Sequence, residues 1–186
     1  MNYLAEVFGI IALVTNFIAY RQQTGDRYRI VSALGLAALS THFFMLGAVA
    51  GGIVTGMAVL RNFVALRWQG PIVLWGFVLL NFVFLGIEWF SPIAGIELTG
   101  AGVVVNWSES PVHWSILVAY ASSLIFTVGS IKLNDPAAIR RWFLLAELLG
   151  LIYAVLVGSI SGTIFNIVNL SSILLKLLQD RRAQTL

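Results

Sequence analysis

Three ionisable side chains, His42, Arg61 and Glu147, stand inside long apolar runs of this chain. Charges in such surroundings are expensive and mark functional sites by default. His42 would act as a proton relay or as a satisfied buried histidine. Glu147 has a short stem and needs a partner, water or a proton. Arg61 could extend its long side chain to the nearer surface. Alternatively it joins Glu147 in one polar cluster, directly paired or bridged by water. A second set is carboxamide in character. Asn166 and Asn169 follow Gly162 at i, i+4, i+7 spacing, which puts all three on one helix face. Thr55 stands at the matching place in an earlier run, with Asn62 beyond it. Carboxamides donate and accept, so Thr55, Asn62, Asn166 and Asn169 suit a neutral polar solute such as a sugar or nucleoside. The same groups also serve as hydrogen-bonded contacts between helices.

Little else in the chain can do chemistry. It has no cysteine, which excludes a disulfide framework and a thiolate metal site. Its two histidines, His42 and His113, share no helix face. There is no nucleophile elbow, phosphate loop or paired-carboxylate site. No enzymatic activity, metal, cofactor or nucleic-acid partner is expected.

The elements that carry these residues follow from composition. Hydrophobic residues make up 59% of the chain, charged residues 10%, and the mean hydropathy is +0.92. A soluble domain carries about 25% charge, so the solvent of this chain is mostly lipid. A spanning helix needs roughly 20 apolar residues, with about 17 as the lower limit. Residues 4–20, 30–46, 50–66, 72–90, 114–131, 142–157 and 161–178 qualify, which predicts an all-α membrane protein of seven spans. Glu6 and the lack of a basic leader or A-x-A site indicate that the first run is retained. Residues 91–113 hold no span; Val103-Val104-Val105 there suits a short strand or an interfacial segment. Asn134-Asp135-Pro136 is a helix-start signal.

The spans repeat. Gly47 falls on Gly158, Gly51 on Gly162, Ile53 on Ile164 and Arg29 on Arg140, all at one offset (158 − 47 = 111). The organisation is therefore a single membrane domain. Residues 1–69 form a first three-helix repeat, 70–113 a linker helix with an outer loop, and 114–186 a second repeat with a basic tail. Gly47, Gly51, Gly158 and Gly162 are read as close helix contacts or as hinges. An N-out, C-in topology places every Lys and Arg at or near the cytoplasmic face. It leaves Glu6, Glu88, Glu97 and Glu109 opposite, as the positive-inside rule requires. The six tryptophans, Trp68, Trp75, Trp89, Trp107, Trp114 and Trp142, fall near the two interfaces and suit anchoring.

Parallel repeats with an extra central helix resemble the sugar-facilitator (SWEET), PQ-loop and vitamin-transporter superfamily. His42-Phe43-Phe44-Met45-Leu46-Gly47, Arg61 with Leu66-Arg67, and Gly158-Ser159-Ile160-Ser161-Gly162-Thr163 resemble more closely the bacterial inner-membrane Imp-YgjV family. The likeness covers most of the chain, apart from residues 92–113, and the chain lacks a Pro-Gln pair at the end of helix one. It implies a multi-pass protein of the bacterial inner membrane. The superfamily architecture implies alternating-access transport of a small polar solute. The alternative is a structural or sensory seven-helix protein. A retinal protein would need a lysine near the middle of helix seven, and Lys176 lies at its end. A homo-oligomer is compatible with either.

Overall fold

The computed structural model describes residues 3–90, 93–99, 102–107, 114–156 and 159–184. Among them are seven helices: α1 (Tyr3–Ala19), α2 (Gly25–Met45), α3 (Val49–Arg67), α4 (Pro71–Phe90), α5 (Ser115–Lys132), α6 (Pro136–Leu156) and α7 (Ile160–Gln184). Between α4 and α5 lies an antiparallel hairpin of β1 (Ile93–Thr99) and β2 (Gly102–Trp107), in which Val103–Val105 pair with Ile96–Leu98. The valine run is thus a strand. His113, Glu109 and Gly158 lie outside the described residues, so the expectations placed on them have no structural counterpart.

Four helices are long and apolar enough by themselves to cross a membrane: α3, α4, α5 and the stretch Gly162–Asp180 of α7. α1 is apolar but only 17 residues long. α2 and α6 depart most from the expected spans, beginning five and six residues early. Their first turns are polar, yet they are helical because each is capped. Thr24 Oγ1 accepts from Arg27 N at 3.3 Å and Asp135 Oδ2 from Ala138 N at 2.8 Å, with Pro136 at the first helical position. These side chains satisfy backbone donors that have no partner within the helix. The expected basic tail is likewise helical as far as Gln184.

The surface is apolar and the interior unusually polar. Ile72, Trp75, Leu79 and Phe90 of α4 and Leu4, Ile10 and Val14 of α1 are exposed. Asn16, Arg29, His42, Arg61, Asn62, Glu88, Arg140, Glu147 and Asn169 are buried. In water this distribution would be reversed.

Packing of neighbours in sequence joins α1 to α2 to α3, and α5 to α6 to α7; α3 then packs on α5 and α7 on α1. The six helices so close a ring, and α4 lies outside it, mainly against α5. One end of the ring is fixed by two arginines. Arg29, at the start of α2, donates to the carbonyls of Ser130 (3.1 and 3.0 Å) and Leu133 (2.8 Å) and to Asn134 Oδ1 (2.8 Å), at the end of α5. Arg140, at the start of α6, donates to the carbonyls of Tyr20 (2.9 Å) and Gln22 (2.8 Å), at the end of α1. Arg140 also pairs with Asp180 of α7, and Asn134 donates to Gln69 beyond α3. The ends of α1, α3, α5 and α7 and the starts of α2, α4 and α6 therefore gather at this basic end.

The sharp turn between α2 and α3 is shorter than the glycine-rich sequence suggested. Only Leu46–Ala48 leave the helices, and Gly47 takes φ +74°, which favours glycine. Gly51 already belongs to α3, where a Cβ would stand 3.1 Å from the Phe43 ring of α2. Gly162 belongs to α7, where a Cβ would stand 3.2 Å from Ala154 Cβ of α6. Both glycines permit close helix approach.

Candidate functional site

The ring surrounds a cavity of about 100 Å³, enough for several waters. Tyr20 and Tyr28 border it toward the basic end; Leu39, Phe43 and Phe165 border it elsewhere. Its polar lining comes from both halves of the ring: Asn16, Ser32, Thr55 and Arg61, then Ser122, Ser123, Glu147, Tyr153 and Asn166.

Arg61 and Glu147 are the two charged side chains on this lining, among the described residues. Each is almost completely buried, at 3% and 2% exposure. Arg61 therefore does not reach a surface, and the extended alternative is excluded. Its Nη1 donates to Thr127 Oγ1 at 3.1 Å, while Nε has no hydrogen-bond partner. Thr127 can accept because its own hydroxyl donates to the Ser123 carbonyl one turn back. Glu147 accepts from the Tyr20 hydroxyl, and Asn169 Nδ2 donates toward both carboxylate oxygens at 3.2 and 3.3 Å. No ion pair joins Arg61 to Glu147 among the described residues, so the direct pairing expected from sequence is absent. They face one cavity, and Tyr28 lies within electrostatic reach of both. Tyr28 packs on Tyr20 with ring centroids 5.5 Å apart.

The carboxamides separate. Asn166 and Thr55 line the cavity, and each side chain donates to the carbonyl four residues back: Asn166 Nδ2 to Gly162 O at 2.8 Å, Thr55 Oγ1 to Gly51 O at 2.6 Å. Asn169 is buried against Glu147 and acts through it. Asn62 is buried away from the lining, its Oδ1 without a partner. His42 is also absent from the lining. It is fully buried, with Nδ1 2.7 Å from the Ala5 carbonyl of α1. A carbonyl only accepts, so Nδ1 carries the proton of the neutral ring. No group of three His, Cys, Asp or Glu residues suited to a metal occurs among the described residues.

Several polar residues of the interior were not singled out from sequence. Tyr20 closes the first expected span and Tyr28 lies in the polar break that follows it. Glu88 was counted with the charges of the outer face, yet it is buried and accepts from the Tyr120 hydroxyl. The signal for it was spacing. Leu74, Asn81 and Glu88 recur every seven residues, and they are the buried residues of α4.

Residues 3–184 match the Imp-YgjV family, bacterial inner membrane proteins, and the chain belongs to that family. No curated protein and no solved structure matches it.

Proposed function

We propose that this inner membrane protein moves a small polar solute by alternating access, between two parallel three-helix bundles, α1–α3 and α5–α7. The observation that carries it is the central cavity, with two opposite charges buried on its lining and not in contact. Burying separated charges costs several kcal/mol per ion, a cost that a merely structural bundle has no reason to bear.

The parallel-repeat arrangement is supported by reciprocal contacts. Both ends of α2 precede both ends of α6 by 111 residues (136 − 25 and 156 − 45). Arg29 and Arg140 stand at that offset, and so do two of their acceptors, Leu133 and Gln22. Arg61 of α3 bonds to Thr127 of α5, while Ser172 of α7, at the same offset from Arg61, lies 3.5 Å from the Phe17 carbonyl of α1. Such a pairing favours an axis along the membrane normal, with the solute site between the repeats. The likeness to the SWEET superfamily enters on this ground. Seven spans are proposed: α1, α2 and α6 cross within the ring, where partners satisfy their polar turns. The arginine-rich end faces the cytoplasm by the positive-inside rule, giving N-out, C-in.

Orientation is checked with single cysteines at Val104 and Gln23, both exposed. In intact cells an impermeant maleimide should label Val104→Cys and spare Gln23→Cys; the reverse labelling inverts the topology. Alternating access is checked at Ala58, which lines the cavity. Ala58→Cys should label from either side of sealed vesicles, and loosening the basic end with Arg140→Lys should speed labelling from that side alone. A site closed to both sides, in both backgrounds, would identify a static bundle.

A further inference from the structure

We infer that the central cavity binds a small zwitterion, its carboxylate on Arg61 and its ammonium group on Glu147. This rests on the proposed solute site and narrows its occupant, in place of the neutral sugar or nucleoside suggested by the carboxamides.

The charge arrangement decides between solute classes. Arg61 contributes one hydrogen bond to Thr127 and leaves Nε unpartnered. A guanidinium with free donors is matched by a carboxylate, which accepts in the same plane. Glu147 receives hydrogen bonds from Tyr20 and Asn169, the latter directed at both of its oxygens. Hydrogen bonds accepted at both oxygens favour its ionised form. With Glu147 ionised, the lining carries one positive and one negative charge, more than 4.0 Å apart at their nearest ionic atoms. A neutral sugar would leave both charges without a countercharge. A simple anion would answer Arg61 and be repelled by Glu147, and a simple cation would meet the converse. An amino-acid-like solute supplies both countercharges on one short frame. Ser122, Ser123, Tyr153 and Asn166 are apt for its remaining polar atoms, and Phe43 and Phe165 add apolar lining.

The experiment uses the full-length protein in detergent and in proteoliposomes. Glycine, β-alanine and γ-aminobutyrate are compared with acetate, methylammonium, glycerol and glucose at matched ionic strength. The readouts are thermal stabilisation and protection of Ala58→Cys from a maleimide. At least one zwitterion should stabilise and protect, and the single-charge and neutral probes should not. Arg61→Gln and Glu147→Gln should each weaken that effect by about tenfold or more. Arg61→Lys, which keeps the charge but loses the planar fork, should weaken it less than Arg61→Gln. A variant that melts before assay is replaced by the cysteine-protection series on the otherwise unaltered chain. Stabilisation and protection by glycerol or glucose but by no zwitterion would overturn the assignment and leave a solute transporter in place. An equal response to acetate alone would overturn it in favour of an anion. Zwitterion binding without flux across proteoliposomes would retain the assignment and defeat transport. No binding by any probe, with Ala58→Cys closed from both sides, would defeat both.

Discussion

Arg29 in the first triplet and Arg140 in the second are 111 residues apart and make the same kind of bond, each to the end of the other triplet's first helix. Glu147 and Leu36 are also 111 residues apart, and there the likeness stops. Arg61 and Ser172 share the offset and each reaches toward the other triplet, but only Arg61 carries a charge. Residues that hold the ring together have counterparts across the two triplets, while the charges facing the cavity occur once each. The difference separates two demands. On the proposed reading, two bundles that rock against each other would profit from equivalent contacts at one end, because each arginine could serve as the other's counterpart. A bound solute has no such symmetry, and Arg61 on one side and Glu147 on the other would fix which way it lies.

The largest expected effect comes from removing a brace. Arg29→Met strands the carbonyls of Ser130 and Leu133, and Arg140→Met those of Tyr20 and Gln22. Hydrogen bonds to charged groups contribute about 1.5–3 kcal/mol each, so each change should destabilise by about 3–5 kcal/mol in thermal melts of the solubilised protein. Arg29 makes the more numerous bonds across the interface, and its loss should be the larger. Equal insensitivity at both positions would mean that the braces are incidental, and the two-bundle comparison would lose its main support.

Next in size is a contact the triplets do not share. Gly129 of α5 packs where a Cβ would lie 2.5 Å from Phe143, which is fully buried, and equally close to Trp142. The residue 111 places earlier is Ile18, exposed on α1. Overpacking costs roughly 1–3 kcal/mol, so Gly129→Ala should destabilise by that amount. Ile18→Ala, on a lipid-like surface, should stay within about 0.5 kcal/mol. Equal costs at the two sites would show that Ile18 is packed as tightly as Gly129, against its exposure on α1.

Much of this scaffold was legible in the sequence. The apolar runs of α1, α3, α4 and α5 lie within a residue or so of the helices, because there the helix and its lipid-like face coincide. The start of α2 was hidden, since Asp26 and Arg29 interrupt hydropathy without interrupting the helix; that of α6 was marked by Asn134-Asp135-Pro136, although Arg140 and Arg141 delay the apolar run. Arg29 and Arg140 are bonded to carbonyls of distant helix ends, which no local pattern records. Arg61, Glu147, Thr55 and Asn166 were marked by their chemistry, and the structure brings them to one cavity. Their company was not marked: Tyr20, Tyr28, Tyr153 and Ser122 reach it from four different helices or helix ends. His42 and Asn62 carried the same chemical signal and are placed elsewhere, because burial alone does not say which interior a polar residue faces.

A smaller effect of opposite sign should distinguish the site arginine from the braces. Arg61 has a buried Nε without a partner and only one hydrogen bond. A buried charge with no ion-pair partner carries a desolvation cost that an apolar side chain of similar size does not. Arg61→Met should therefore leave stability unchanged or raise it by about 1 kcal/mol, where Arg29→Met lowers it. Since no ion pair joins Arg61 to Glu147, the effects of Arg61→Met and Glu147→Gln should add to within about 0.5 kcal/mol. A coupling of several kcal/mol would reveal a bridge through the cavity, of water or of retained solute.

The smallest effect is expected where the triplets meet the cavity on equal terms. Thr55 and Asn166 share the offset, line the cavity and close the same bond to a glycine carbonyl one turn back. A side chain bonded to its own helix needs nothing from a neighbouring one. Asn166→Thr puts into α7 the residue that α3 already uses, and its hydroxyl can bond to Gly162 O as Thr55 does to Gly51 O. Stability should change by less than about 0.5 kcal/mol. Size adds one local effect, since Asn166 Oδ1 lies 2.5 Å from where a Gly150 Cβ would stand. The smaller threonine should relieve that crowding, so Gly150→Ala should be better tolerated in the Asn166→Thr background than alone. If Asn166→Thr instead costs more than about 2 kcal/mol, its carboxamide holds two helices together. Thr55 and Asn166 would then differ in role, and the equivalence of α3 and α7 would end at their backbones.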